Sequence, residues 1–240
     1  MMRYATGFVI VVAAAAVAFQ RPSGDSVVEG FKKTTVASVS DAVDQVTGRR
    51  GFLNHDMRPR VAGPVVGRAA TVLLRPAAPE NATPALALKH AVEMLDNAAR
   101  GEVAVIVVEG DLNMTGLGGL MATTAKAREM AGAVIDGGVR DVEEIRRLAL
   151  PVYARSVVPS TVVGRYATVA SRIPVECAGV TVRPGDIIVA GEDGVVSVPR
   201  EKEAEVLKRA QEIDAREAKM VPYIQKFKSL AKAIEVFNRI

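Results

Sequence analysis

The chain has little of the chemistry that cysteine and histidine supply. Its 240 residues include one cysteine and two histidines. The single thiol, Cys177, cannot form an intrachain disulfide. Its place in a short apolar hairpin pattern favours a core residue over a nucleophile, because thiolate chemistry needs an activating partner. His55 and His90 lack metal-ligand spacing, which argues against a zinc site and against a Ser-His-Asp triad.

Aromatic residues and blocks of one charge are also scarce, which bears on nucleic acids and nucleotides. Aromatics make up 4% of the chain, and the net charge of +4 comes from basic residues interspersed with acidic ones. We therefore expect no nucleic-acid partner. The glycine-rich segment at residues 116–120 (GLGGL) has neither the GxGxxG spacing of a dinucleotide loop nor a GK[ST] ending, so nucleotide binding has little support.

Only one long hydrophobic run stands out, at residues 7–18, and it ends in Ala16-Val17-Ala18. This run is shorter than the roughly 20 residues that a membrane-spanning helix needs. Together with the small-x-small ending, it predicts a signal peptide over residues 1–18. The expectation is an exported protein, periplasmic or extracellular, with no stable membrane insertion after cleavage. An uncleaved membrane anchor and a cytosolic apolar tail are the alternatives.

One stretch, residues 109–141, is the most informative part of the chain. An apolar β-branched run at residues 103–108 predicts a strand, and a glycine-bearing loop then opens a helix predicted over residues 120–130. A second strand, residues 133–135, is expected to deliver residues 136–141 (DGGVRD) at its carboxyl end. Open α/β sheets place their ligands at such ends.

The start of the predicted helix has the features of an anion site. Backbone amides in a first helical turn lack intrahelical partners and carry the positive end of the dipole. The amides of Leu120 and Met121 are therefore suited to a carboxylate or phosphate. Gly118 and Gly119 remove side chains that would block the approach.

Arg140 and Asp141 add complementary chemistry. The Arg140 guanidinium is a planar fork suited to a carboxylate, and the Asp141 carboxylate offers hard oxygen atoms to a divalent metal. Together with the helix amides, they predict a site for a small, metal-chelating oxo-acid. Taken alone, the same pair is also typical of an ordinary helix N-cap with a solvated neighbour.

A longer motif around this stretch resembles a known family. Residues 116–156 (GLGGLMATTAKAREMAGAVIDGGVRDVEEIRRLALPVYARS) closely resemble the family of metal-dependent 4-hydroxy-4-methyl-2-oxoglutarate aldolases and the regulator of ribonuclease activity A. Further segments fit in the same order, such as TTVASVSDAVDQV upstream and VECAGVTVRPGDIIVAGEDGVVSVPR downstream. The resemblance covers nearly all of residues 27–240.

The resemblance implies a role for each matching residue. It places the substrate carboxylate on Arg140, with the backbone amides of Leu120 and Met121 completing the carboxylate site. It places magnesium or manganese on Asp141. A glutamate from a neighbouring subunit is implied near the waters of the metal, and Glu217 is the matching position.

Gly119 departs from the family pattern. The aldolases typically carry an acidic residue twenty-one positions before the arginine, where it orients water at the metal, and this chain has glycine there. The departure affects proton transfer more than binding, because such outer carboxylates tune the ligands rather than supply them. Glu109 and Asp111 are close enough in sequence to be candidate substitutes.

The predicted fold class is α/β. The resemblance implies a layered β-β-α fold like the swivelling phosphohistidine domain, spanning residues 25–199, and a homotrimer or hexamer. From the pattern we expect a C-terminal helical arm at residues 200–240, with one helix over residues 200–219 and a shorter one after Pro222. A helix containing residues 41–46 is predicted to be capped by Ser38 or Ser40 and ended by Gly48.

The predicted function is that of a divalent-metal-dependent lyase. It would cleave a 4-hydroxy-2-oxo acid to pyruvate through an enolate, and the same enolate predicts oxaloacetate decarboxylation. A Schiff base on Lys126 is an enzymatic competitor. A non-catalytic binding or regulatory protein is the alternative of another class. Asp186 and Asp193 are attributed to turn chemistry rather than to a catalytic pair.

Overall fold

A computed structural model describes residues 25–238 of the chain. The predicted signal peptide, residues 1–18, lies outside this range. Among the described residues, no helix is both long enough and apolar enough to cross a membrane.

Seven helices and eleven strands, in a mixed order, make up the described chain. The helices are α1 (Ser26–Phe31), α2 (Val36–Thr47), α3 (Pro84–Asp96), α4 (Gly119–Ala127), α5 (Val142–Leu148), α6 (Glu203–Phe227) and α7 (Leu230–Phe237). The strands are β1 (Arg58–Val61), β2 (Val65–Pro76), β3 (Val103–Val108), β4 (Thr115–Leu117), β5 (Gly132–Val139), β6 (Val152–Val157), β7 (Tyr166–Ser171), β8 (Val175–Cys177), β9 (Val180–Val182), β10 (Ile187–Gly191) and β11 (Gly194–Val198). The predicted α/β class is confirmed.

The main sheet is mixed and strongly curled. Its strands run in the order β1-β6-β5-β3-β2-β10-β11, with β4 paired to β5 and β7 paired to β2. Strands β2, β3, β5 and β6 are parallel to one another, whereas β1, β10 and β11 join antiparallel at the two ends of the order. The two ends approach each other, since Arg58, the first residue of β1, donates a hydrogen bond to the carbonyl of Asp193, the residue before β11. The sheet is therefore nearly closed, like a barrel.

The central strand β3 shows why a parallel core forms here. All six of its residues are buried, and they alternate between two hydrophobic clusters on opposite faces of the sheet. Ile106 belongs to the cluster that packs under α3, α4 and α5, while Val105 belongs to the cluster that packs under the hairpin β8-β9. A continuous apolar run, rather than an alternating one, is what a strand covered on both faces requires.

Helix boundaries follow local chemistry, with two corrections to the sequence predictions. Helix α2 starts earlier than expected, because the Thr35 side chain, rather than that of Ser38 or Ser40, caps it by accepting a hydrogen bond from the Ser38 amide. Gly48 ends it as predicted, in a left-handed conformation with φ 66°. Helix α6 does not stop at Pro222 but runs through it to Phe227, where the arm turns into α7.

Strand β5 is longer than predicted. It does not end at Ile135 but extends to Val139 through an irregularity between Ile135 and Gly138 in its pairing with β6. Gly137 makes this possible, since its φ of 150° is a conformation that side-chain-bearing residues rarely adopt. Asp136 consequently lies within the strand, and only Arg140 and Asp141 emerge beyond it.

Candidate active site

The chain leaves β5 through a tight turn that brings Arg140 and Asp141 to the start of α4. The Arg140 amide donates a hydrogen bond to the carbonyl of Leu117, so the end of β5 is held against the segment that precedes α4. Asp141 then adopts a left-handed backbone conformation, φ 58° and ψ 34°. This conformation is uncommon outside glycine, and Asp is one of the few residues that tolerates it. The turn reverses the chain and starts α5.

Asp141 does not act as an ordinary N-cap. It occupies the N-cap position of α5 but makes no side-chain hydrogen bond to that helix. Its Oδ2 instead accepts a hydrogen bond from the Gly119 amide at 2.8 Å, so the side chain caps the neighbouring helix α4. The expectation that Asp141 caps α5 is therefore wrong for the side chain. Among the described residues, Oδ1 of Asp141 has no hydrogen-bond partner and is left to bind a ligand.

Arg140 is anchored at one side of its guanidinium and open at the other. Its Nη1 donates to the Ser160 carbonyl at 3.1 Å. Its Nε lies 3.6 Å from Oδ2 of Asp141, which is an ion-pair distance but too long for a hydrogen bond. The two side chains are 41% and 43% exposed. Nη2 has no partner in the part of the chain that the structure describes, so the guanidinium is positioned and still able to bind an anion.

The two glycines before α4 make room for these charges. A Cβ on Gly118 would lie 3.1 Å from both Nε of Arg140 and Oδ2 of Asp141, tighter than nearly all real contacts. The backbone at Gly118 is extended, so space rather than conformation favours glycine here. Beyond it, the amides of Leu120 and Met121 lie in the first turn of α4, where no helical carbonyl reaches them.

These groups share one small pocket of about 150 Å³. Its lining comes from the β4-α4 segment, the β5-α5 turn and the loop before β7, and consists of Leu88, Thr115, Gly116, Gly118, Gly119, Leu120, Met121, Arg140, Asp141, Thr161, Val162 and Val163. Sites for drug-sized ligands usually measure about 300–1,000 Å³, so this pocket suits a smaller molecule. The five substrate-binding residues predicted from the sequence, and the predicted metal ligand Asp141, all line this pocket.

The metal-binding prediction is compatible with this donor set. No group of three or more His, Cys, Asp or Glu side chains that could hold a metal ion occurs among the described residues. Asp141 nevertheless offers a half-exposed carboxylate with one oxygen atom available. Magnesium and manganese accept such sites, because they keep several water ligands and bind through one or two carboxylates plus the substrate. Glu217 lies exposed on α6, and its role at the metal stays a prediction.

The proposed substitutes for the acid missing at Gly119 do not line this pocket. Glu109 pairs with Arg75, with Oε2 2.9 Å from Nε, and Asp111 accepts hydrogen bonds from Asn113. Both acidic residues line a different cavity of about 530 Å³. The hypothesis that either one serves the Arg140–Asp141 pocket is therefore not supported by the geometry of the single chain.

Glu144 is an acidic residue next to Gly119 that was not among the candidates chosen from the sequence. It lies in the first turn of α5, three positions after Asp141. A Cβ on Gly119 would lie 2.7 Å from Cδ of Glu144, with Oε2 closer still. The carboxylate of Glu144 thus fills the space that a side chain at position 119 would take. The i,i+3 spacing from Asp141 puts Glu144 on the same side of α5, but this spacing alone does not distinguish Glu144 from Glu109 and Asp111, which are also acidic and near the motif.

The other candidate residues are placed away from the pocket. Lys126 lies in the last turn of α4, and its Nζ donates to the Ala149 carbonyl at 3.2 Å, which does not favour a Schiff base. Cys177 is fully buried, and burial, with Asp136 adding to it, raises the pKa of its thiol well above the usual value. The oxygens of Asp186 accept hydrogen bonds from the Arg183 and Arg200 amides, as its assignment to turn chemistry predicted.

Comparisons with known proteins identify the family of this chain. The RraA-like family model, described as Aldolase/RraA, matches residues 36–197. A Halalkalibacterium halodurans protein, provisionally named 4-hydroxy-4-methyl-2-oxoglutarate aldolase, is 32% identical over 188 residues, which are 77% of this chain and 82% of that protein. An uncharacterised Methanocaldococcus jannaschii protein is 40% identical over 119 residues, 49% of this chain and 56% of that protein.

A solved structure shows the same fold. Streptomyces coelicolor RraAS2, described as an unusual member of the RNase ES inhibitor RraA protein family, superimposes with a TM-score of 0.72 at 25% identity, covering 83% of this chain and 97% of that one. The match spans only part of some curated relatives, since it covers about half of the archaeal protein and 32% of the Legionella pneumophila protein DlpA. The family model nevertheless covers more than half of this chain, which therefore belongs to the RraA-like family.

Proposed function

We propose that this protein is a divalent-metal-dependent lyase that cleaves 4-hydroxy-2-oxo acids of the 4-hydroxy-4-methyl-2-oxoglutarate type to pyruvate. The observation that carries the proposal is the convergence, on one small pocket, of an open guanidinium at Arg140, an available carboxylate oxygen at Asp141 and the amino-terminal end of α4. A relative provisionally named as such an aldolase supports the substrate class.

Arg140 and the start of α4 bind the substrate. The open side of the guanidinium pairs with the substrate carboxylate, and the Leu120 and Met121 amides donate to the same group. The Ser160 carbonyl keeps the guanidinium in place through its hydrogen bond to Nη1. Because Gly118 lacks a side chain, the 2-oxo group can approach Asp141 without obstruction.

Asp141 would hold a magnesium or manganese ion, which supplies a Lewis acid that polarises the 2-oxo group of the substrate. The Gly119 amide orients the Asp141 carboxylate, so Oδ1 points away from the bond made by Oδ2. In the cleavage step the 4-hydroxyl group loses its proton to water, C4 becomes the carbonyl carbon of the second product, and the electron pair of the broken C3–C4 bond stays on pyruvate as an enolate, which water then protonates. The positive end of α4 and Arg140 stabilise this developing negative charge. Decarboxylation of oxaloacetate produces the same enolate, so the proposal includes that activity.

Four finer features belong to the same proposal. The layered β-β-α arrangement is taken to resemble the swivelling phosphohistidine domain, and the assembly to be a homotrimer or hexamer. Glu217 of a neighbouring subunit would then approach the metal. The protein is proposed to be exported, on the pattern of residues 1–18.

The test is pyruvate release from 4-hydroxy-4-methyl-2-oxoglutarate and from oxaloacetate by purified protein. We expect turnover with added magnesium or manganese, loss of turnover with EDTA, and at least about a thousandfold lower kcat/KM in Asp141→Ala, because the ion contributes several kcal/mol to the transition state. Asp193→Ala, a turn residue outside the pocket, is the matched control and should retain activity. Metal-independent turnover, or turnover in Asp141→Ala, would contradict the mechanism.

A non-catalytic binding or regulatory role is the second candidate. One observation favours it: position 119, where the aldolases typically carry an acid, is glycine here. The Streptomyces neighbour is described as belonging to an RNase inhibitor family. Folded protein that binds manganese and pyruvate but releases no pyruvate from either substrate would support this reading.

A further inference from the structure

We propose that Glu144 is a positioning residue of this site and that its carboxylate, placed over Gly119, strengthens divalent-cation binding at Asp141. The inference rests on the proposed function, because it concerns the same cation. In this proposal the second acidic side chain of the site comes from Glu144 at the start of α5, and not from residue 119 at the start of α4.

The first argument is the placement of the two carboxylates around one residue. Oδ2 of Asp141 is 2.8 Å from the Gly119 nitrogen. The Glu144 carboxylate lies beside the position of the first side-chain atom of residue 119, since a Cβ built there would be 2.7 Å from Cδ of Glu144. Asp141 and Glu144 therefore flank Gly119 from two positions that are one helical turn apart on α5.

The second argument is that Glu144 is not engaged elsewhere. Within the described residues, it makes no hydrogen bond and no ion pair, although α5 ends with two arginines. Its neighbour Glu143 shares the first turn and the favourable end of the α5 dipole. What distinguishes Glu144 is its position over Gly119, because Glu143 points about 100° away around the helix.

The third argument is electrostatic. Two carboxylates around the same glycine repel each other when no cation is bound, and a divalent cation with its water shell neutralises both. Glu144 can accept a hydrogen bond from a water ligand of the cation, as outer carboxylates do in other metal sites. Gly119 leaves room for this placement, since a side chain at this position would push the flexible Glu144 carboxylate aside.

The test is a manganese titration of the full-length protein, followed by the electron paramagnetic resonance signal of free Mn²⁺. Outer-shell partners commonly change metal affinity 10- to 100-fold, so we expect Glu144→Gln to weaken binding about tenfold. Glu143→Gln is the matched control and should change it less than about twofold, since it removes only a charge at the same helix end. Equal weakening by both variants, or no change in Glu144→Gln, would overturn the proposal.

Moving the carboxylate is the second arm. Gly119 has no positive φ, so aspartate is tolerated there, and an acid in the first turn of a helix is favourable. We expect the double variant Gly119→Asp/Glu144→Ala to recover most of the affinity lost in Glu144→Ala. Failure to recover any affinity in folded protein would show that the effect of Glu144 does not arise from a carboxylate over position 119.

Asp141→Ala separates the two proposals. If it binds Mn²⁺ as tightly as the unchanged protein, the cation site itself is absent and the proposed function fails. If it abolishes binding while Glu144→Gln binds normally, the proposed function stands and the role of Glu144 is refuted.

Discussion

Two aspartates five positions apart, Asp136 within strand β5 and Asp141 just beyond its end, each lie beside an arginine, but the two pairs differ in how far their charged atoms are paired and exposed. Asp136 lies inside the strand, with Oδ1 2.9 Å from Nη1 of Arg155 and Oδ2 accepting the Ala178 amide at 2.5 Å. Its side chain is 12% exposed. Arg140 and Asp141 lie beyond the strand, 3.6 Å apart and more than 40% exposed.

The difference separates a structural ion pair from a binding site made of the same residue types. Both oxygens of Asp136 are used, and Arg155 is shared with Asp56 at 2.9 Å, so this network has no capacity for a ligand at Asp136. Asp136 and Arg155 line the larger cavity, yet both oxygens of Asp136 are occupied, and Oδ1 of Asp56, which has no hydrogen-bond partner among the described residues, is buried. The smaller pocket keeps one oxygen of Asp141 and one edge of Arg140 available and exposed. Donors and acceptors that are both unpaired and exposed, rather than volume, identify the site.

The largest expected effect is a loss of stability when the buried Asp136–Arg155 pair, here called the closed pair, is broken. Asp136→Ala should lower the free energy of unfolding by about 3 kcal/mol, because it leaves the Ala178 amide and part of Arg155 without a partner in a buried place. Asp141→Asn should change it by less than about 1 kcal/mol, since that side chain is half exposed and Asn also tolerates the left-handed backbone. Urea denaturation of both variants measures the contrast. Similar losses in the two would contradict the distinction between closed and open pairs.

The next largest effect is on substrate binding at the exposed Arg140–Asp141 pair, here called the open pair. Arg140→Lys should raise KM for the oxo-acid about tenfold or more, because an ammonium group cannot reproduce the planar grip of a guanidinium on a carboxylate. Arg155→Lys should lower stability and leave KM within about twofold, because Arg155 binds protein carboxylates instead of substrate. Steady-state kinetics with urea denaturation distinguishes the two. If KM rose in Arg155→Lys and not in Arg140→Lys, Arg155 and not Arg140 would be the residue that binds the substrate carboxylate.

A smaller effect concerns pH. The hydrogen bond from Arg155 holds the pKa of the Asp56 carboxyl below its usual value, against the opposing effect of burial. A carboxyl whose pKa is lower in the folded than in the unfolded protein stabilises the fold at pH values above its unfolded-state pKa of about 3.9. This contribution is lost as the pH falls through the pKa of the folded state. The protein should therefore exceed Asp56→Asn in stability at pH 7, with the gap closing below about pH 4. A gap that widens on acidification would contradict this sign.

The smallest effect tests the space at Gly119. Gly119→Ala should leave stability within about 0.5 kcal/mol, since the backbone there suits any residue and Ala favours helices. It should weaken Mn²⁺ binding a few-fold by displacing the Glu144 carboxylate. In the Glu144→Ala background, the same change should have no further effect, because interacting residues are not additive. An additive loss would show that Gly119 acts independently of Glu144.

Much of the fold could be predicted from local pattern. The continuous apolar run of β3 and the left-handed glycine at the end of α2 follow from side-chain burial and backbone sterics, which depend on a few neighbouring residues. The end of β5 could not be predicted in this way. Its extension past Ile135 depends on pairing with β4 and β6, which lie elsewhere in the chain.

The residues of the candidate site also fall into two groups: those that local sequence pattern predicts and one that only the tertiary packing identifies. Gly118, Gly119, Arg140 and Asp141 could be chosen from the sequence, because their chemistry and spacing after strand-like runs are local properties. Glu144 could not be chosen over Glu109 or Asp111, since all three are acidic and near the motif. Only the packing of α5 against α4 decides which carboxylate reaches position 119.

The sequence by itself determined the α/β class, the family and the residue types that meet at the pocket, because periodicity, glycine placement and motif spacing are written in the order of residues. The tertiary structure alone decided which acidic and basic groups are satisfied and which are left to bind a ligand. Asp136 and Asp141 are the same residue type, and the sequence alone does not distinguish their roles. Their different partners, supplied by Arg155 and Ala178 in one case and Gly119 in the other, come from segments far apart in the chain.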